Sequence, residues 1–230
     1  MISAAAAAIA GGFAVTPGAT QPASSTPAVA NPLLADWAGP FSGVPPFASV
    51  QPAMFPEAFT AAIAQRRQEV AAIVNQRSVP TFENTIEAYE RSGKLLDRVN
   101  AVWGVMTGNM TTPEYQALQR EWGPRLSAAS DEIILNPQLF QRVKTVYDNR
   151  TRANLTAEQQ RVVARLYESM VRRGANLNAE QKQQLSAYNQ QLATLFASFS
   201  EKVLADESTF IAVSEADLAG VPADVKAAAA

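Results

Sequence analysis

Apolar residues recur at helical spacing through most of this chain. Between residues 55 and 74, Phe55, Phe59, Ile63, Val70, Ile73 and Val74 share one stripe. Phe82, Ile86, Tyr89, Leu96 and Trp103 make a second, in a helix that opens at Thr81 and carries Gly93 within it. Tyr115, Leu118 and Trp122 line a third, in which Pro124 should end or kink the helix. Leu139, Phe140, Val143, Val146 and Tyr147 form a fourth. Val163, Leu166, Tyr167 and Met170 form a fifth, expected to stop at Gly174. The longest runs from Ala179 to about Leu204 and holds Leu185, Tyr188, Leu192, Leu195, Phe196, Phe199 and Val203.

Polar residues punctuate these stripes where helices start. Thr112 precedes Pro113, and Asn136 precedes Pro137, each a cap followed by proline at the first helical position. "LTAEQQ" sets Thr156 three residues before Gln159, and "LNAEQK" sets Asn178 three before Gln181. Their matched openings predict that the last two long helices pair as an α-hairpin. The fold class expected is all-α, a lobe of antiparallel helices.

Two regions break the pattern. "NPLLADWAGPFSGVPPFASVQP" carries five prolines with Leu33, Leu34, Trp37, Phe41 and Phe47, so it reads as an extended strap docked on the helical body. "STFIAV", residues 208–213, has strand character. "SEADLAGVPADVKAAAA" then opens a capped segment that shows no packing face, as expected of a polypeptide that continues.

Ahead of the strap, "MISAAAAAIAGGFAV" resembles the apolar part of a secretory signal, although no Lys or Arg occurs before Arg66. The run is short and alanine-rich for a membrane span. The organisation expected is a leader over residues 1–30 and a helical domain over 31–230. Export, with a periplasmic location in a bacterium, is the expectation, and the cytoplasm is the alternative.

Composition narrows the chemistry. The 230 residues are 47% hydrophobic, enough for a sizeable core, and carry a net charge of −2. There is no basic excess to neutralise a phosphate backbone, so nucleic acid is not an expected partner. Arg66-Arg67 and Arg172-Arg173 read as solvated pairs. The chain has no cysteine and no histidine. That removes thiolate chemistry, the commonest general base and the commonest metal ligands.

Glu83, Glu87 and Glu90 sit at i, i+4 and i+7, as a carboxylate metal site would place them. A di-metal bundle also needs histidines on neighbouring helices. The three glutamates read instead as scaffold, with Glu83 near a helix N-terminus and Glu87–Arg91 and Glu90–Lys94 as i,i+4 ion pairs. Gly93 reads as a point of close approach by a neighbouring helix, with a hinge as the alternative. Asp131-Glu132 and Asp206-Glu207 are adjacent in sequence, so their side chains should diverge.

Several phrases taken together carry a family resemblance. "NPLLADWAGPFSGVPPFASVQPAMFPEAF", "PTFENTIEAYERSGKLLDRV", "DEIILNPQLFQRVKTVYD", "LTAEQQRVVARLYESMVRRGANL" and "LATLFASFSEKVLADESTFIAV" resemble successive blocks near the start of bacterial peptidyl-dipeptidases of the oligopeptidase type. These belong with thimet oligopeptidase and neurolysin, and the resemblance covers about Asn31 to Ala230. It implies a clamshell zinc metallopeptidase whose channel between two helical lobes admits short peptides. It also implies a catalytic His-Glu-x-x-His helix, which these residues lack. No catalytic, cofactor-binding or zinc-ligating position is therefore assigned in this chain. The role implied is a channel wall, inactive alone, with the catalytic portion as packing partner. A stand-alone helical scaffold or binding protein is the other reading.

Overall fold

The computed structural model describes residues 31–39, 43–207, 209 and 214–229. The long helices are α1 (Phe55–Val74), α3 (Lys94–Asn109), α4 (Pro113–Ile134), α5 (Pro137–Asn149), α6 (Ala157–Arg172) and α7 (Ala179–Glu207). Between α1 and α3 lie a π-helical turn, Phe82–Glu87, and the short α2, Ala88–Arg91. A short α8, Ala223–Ala229, comes last. The only β pairing among the described residues is an isolated antiparallel bridge, Ala38 to Val44. The protein is all-α. The strand-like stretch 208–213 falls outside the described residues except for Thr209, which has no regular structure.

The strap docks as its prolines and apolar residues predict. Asn31 Nδ2 donates to the Met54 carbonyl at 2.9 Å and to Glu57 Oε2 at 3.0 Å, pinning the strap to the start of α1. Leu33 and Val50 are buried, and Leu34 and Trp37 pack against the same cluster. Phe47 is exposed instead, and Phe41 lies outside the described residues.

The helices enclose two apolar clusters. In one, Phe55 and Phe59 of α1 meet Trp103, Tyr115 and Trp122, mostly edge-on or tilted at 4.8–5.9 Å between ring centres. Such contacts add about 0.5–1.5 kcal/mol per pair beyond burial. In the other, Val70 and Ile73 of α1 join Ile86, Ile133, Leu139, Val143, Val146, Val163 and Met170. Helices α1 and α4 contribute to both clusters and tie the body together.

Helix starts follow the local code. Thr112, Asn136 and Thr156 accept hydrogen bonds from backbone amides of their first turns, and Asn178 and Gln181 exchange a reciprocal pair. The end of α6 is a Schellman motif. Gly174 takes φ +89°, its amide donates to Val171, and the Ala175 amide donates to Met170.

Three expectations are corrected. The helix opened by Thr81 is not continuous. Gly93 takes φ +82° and separates α2 from α3, because its amide turns aside to donate to Glu69 Oε2 of α1 at 2.6 Å. A Cβ there would lie 2.9 Å from the Arg66 side chain, so the close approach of a neighbouring helix is real as well. Pro124 does not end α4, which runs on to Ile134. Trp122 in the core and Gly123 against the Ala193 backbone of α7 hold the helix across the missing hydrogen bond. Finally, α6 and α7 are not a hairpin. Helix α6 pairs with α5, whereas α7 lies antiparallel along α4. The tight turn through Gly174, Ala175 and Leu177 sends the chain away from α6.

Candidate functional site

The residues singled out from the sequence do not converge. Glu83 lies in the π-helical turn, where the Ala88 amide bonds to the Glu83 carbonyl five residues back. That register breaks the shared α-helical face of Glu83, Glu87 and Glu90. Glu87 does pair with Arg91. Glu90 and Lys94 make no ion pair, because the break at Gly93 falls between them. Arg66 is not a solvated residue: its side chain lies over Gly93 and beside Tyr89, and its Nε is buried. Burial raises the Tyr89 phenol above its usual range, opposed by the charges of Arg66 and Arg173.

Asp131 and Glu132 diverge as adjacent helical residues should. Glu132 faces α1, where Arg67 donates to it through Nε at 2.9 Å and Nη2 at 2.6 Å. Asp131 is buried against α7, where Asn189 Nδ2 donates to its two carboxylate oxygens at 3.1 and 3.0 Å. This crossing point is the polar centre of the α4–α7 seam. Around it the seam is small and polar, with Gly123 against Ala193, and Arg120 paired with Glu201.

Two open clefts flank Asp131. One, of about 550 Å³, is lined by Asp131, Leu135, Lys182 and Ser186 among others. The second, of about 520 Å³, is lined by Ser127, Ser130, Arg172, Arg173, Leu192 and Phe196 among others. Arg173 Nη2 donates to Ser130 Oγ at 2.8 Å. These groups offer hydrogen bonds and charge. No imidazole stands beside the hydroxyls, since the chain contains no histidine.

Zinc takes histidine nitrogen, cysteine sulfur and carboxylate oxygen. The chain has neither of the first two donors, and no group of three or more such side chains comes together among the described residues. These residues do not fit a zinc ion. No helix among the described residues is long and apolar enough to cross a membrane.

Arg142 escaped the sequence reading. It is buried, and its guanidinium donates to the carbonyls of Gln76 and Ser78 and to Asn84 Oδ1 at 3.0–3.3 Å. It closes the loop between α1 and the π-helical turn, with no carboxylate partner, and burial lowers its pKa. Its position three residues after Leu139 and four before Val146, on an apolar stripe, was the available signal.

Comparison with known proteins places this lobe. No family model matches the chain. It is 37% identical over 175 residues to a dipeptidyl carboxypeptidase of Salmonella typhimurium, covering 76% of this chain and 26% of that protein. It is 35% identical over 193 residues to a dipeptidyl carboxypeptidase of Escherichia coli, covering 83% and 28%. The chain fits the N-terminal portion of the dipeptidyl carboxypeptidase and oligopeptidase family. Oligopeptidase A of Escherichia coli follows at 26% identity over 201 residues, 86% of this chain and 29% of that protein. The chain thus spans between a quarter and three tenths of the length of these relatives, all named as peptidases.

Proposed function

We propose that these residues form the N-terminal helical lobe of a metallopeptidase that cleaves short peptides in the peptidyl-dipeptidase or oligopeptidase manner. The lobe walls one side of the substrate channel and limits what enters. The observation that carries this reading is the identity of 37% and 35% to two dipeptidyl carboxypeptidases across most of the helical body. The chemistry of such an enzyme, zinc included, belongs to the portion beyond these residues. That matches a chain without histidine or cysteine. The apolar leader fits an exported protein.

The test compares two purified proteins, the 230-residue chain and the polypeptide extended along its reading frame to the length of the relatives. The extended protein should release dipeptides from the C-terminus of short peptides and lose that activity to a chelator. The 230-residue chain should release none. Chelator-sensitive hydrolysis by the short chain would overturn the assignment of catalysis to the missing portion. An inactive extended protein would favour a helical scaffold or binding protein.

A further inference from the structure

Helix α7 is built with its oily side outward. Every other long helix buries part of its apolar stripe, yet α7 contributes no fully buried residue. The side it lays on α4 is Ser186, Asn189, Ala193 and Glu201, small or polar. Tyr188, Leu192, Leu195, Phe196, Phe199 and Val203 stay exposed, three of them rings at 61–67%. A ring of this size buries on the order of 150–250 Å². The three rings alone therefore leave roughly 300–500 Å² open, and the aliphatic residues carry the patch past what a typical monomer leaves bare.

The spacing of the patch specifies its occupant. Tyr188, Leu192, Leu195 and Phe199 follow one another at four, three and four residues. That is the seam of a helix meant to meet another helix along its length. No helix of the described body lies there, since the α7 contacts fall chiefly on α4. The matched stretch is only 26–28% of two relatives, so most of such a protein lies beyond it.

We infer that the outer face of α7 is the docking surface for an amphipathic helix from the downstream part of the same polypeptide. This contact, rather than the seam with α4, supplies the apolar burial that holds α7 in the assembled protein. The inference rests on the proposed N-terminal placement of this chain and names the surface through which the placement acts.

The test uses the extended polypeptide with photoreactive p-benzoylphenylalanine in place of Phe199, irradiated at low concentration and digested for mass spectrometry. The expected cross-link joins position 199 to a peptide downstream of residue 230 in the same chain. Cross-links to a second copy that grow with concentration, or none at all, would overturn it, as would a reading frame that ends at residue 230. Peptide hydrolysis by the unsubstituted extended protein is measured alongside. Activity without the cross-link removes the docking inference and leaves the functional reading standing. The cross-link without activity does the reverse.

Discussion

Leu139, Val143 and Val146 on α5 lie buried between α1 and α6, whereas Leu192, Leu195 and Phe199, spaced in similar fashion on α7, face outward. Both helices are amphipathic by sequence. What differs is the partner each stripe finds. The α5 stripe meets apolar faces of α1 and α6 within the same short stretch of chain. Helix α7 is delivered to α4 along a seam of alanine, glycine, asparagine and serine, and most of its oily face stays exposed in the described body. An amphipathic pattern therefore says that a face will be covered, and leaves open which part of a protein covers it.

That contrast is sharpest in two phenylalanines. Phe59 is fully buried, while Phe199 is 65% exposed. Phe59→Ala should cost about 3–5 kcal/mol in urea unfolding of the 230-residue chain, through lost burial and the cavity left among Trp103 and Trp122. Phe199→Ala in the same chain should stay within about 0.5 kcal/mol. Equal losses at the two sites would erase the distinction between body and α7.

The next effect tests the seam. Asn189→Ala leaves the buried Asp131 carboxylate without its hydrogen-bond donor, at a cost of about 1–3 kcal/mol. Hydrogen exchange should show the loss in α7 first, with α5 and α6 retaining their protection. Uniform loss over all helices would mean that α7 and the body unfold as one unit.

The smallest effect lies in the aromatic cluster. The Tyr115 hydroxyl is buried without a partner, and burial holds its pKa above the ordinary value. The folded state thus keeps its proton where the unfolded chain loses it. Stability should be level below pH of about 10 and fall as pH climbs through the folded pKa. Tyr115→Phe should leave neutral stability unchanged or raise it by up to about 1 kcal/mol, and should flatten that alkaline limb. Unfolding midpoints across the alkaline range check it, and an unchanged limb would place the sensitivity elsewhere, at Tyr89 first.

Much of the fold was legible. The caps at Thr112, Asn136 and Thr156 and the stop at Gly174 were readable because each involves residues within one turn. The docked strap was readable because proline forbids a helix while Leu33 and Trp37 need cover. The helix pairing was not. Matched openings at "LTAEQQ" and "LNAEQK" describe two starts and carry nothing about which flank each helix presents. Asp131 was invisible as a buried residue, and Arg142 showed only through its place on the α5 stripe, for the same kind of reason. Their partners lie 58 to 66 residues away, on other elements.

The sequence by itself determined that the chain is helical, where most helices begin and end, and that no histidine or cysteine is at hand for chemistry. Those properties rest on backbone preferences and short-range hydrogen bonds. Only the tertiary structure decided that Gly93 divides a helix, that α4 passes through Pro124, and that α7 turns its small polar side inward. Each depends on a neighbour brought up from far along the chain: Glu69 for the Gly93 amide, Ala193 for Gly123, Asn189 for Asp131. Contacts of that kind are settled by how faces fit together, which the order of residues along one helix does not contain.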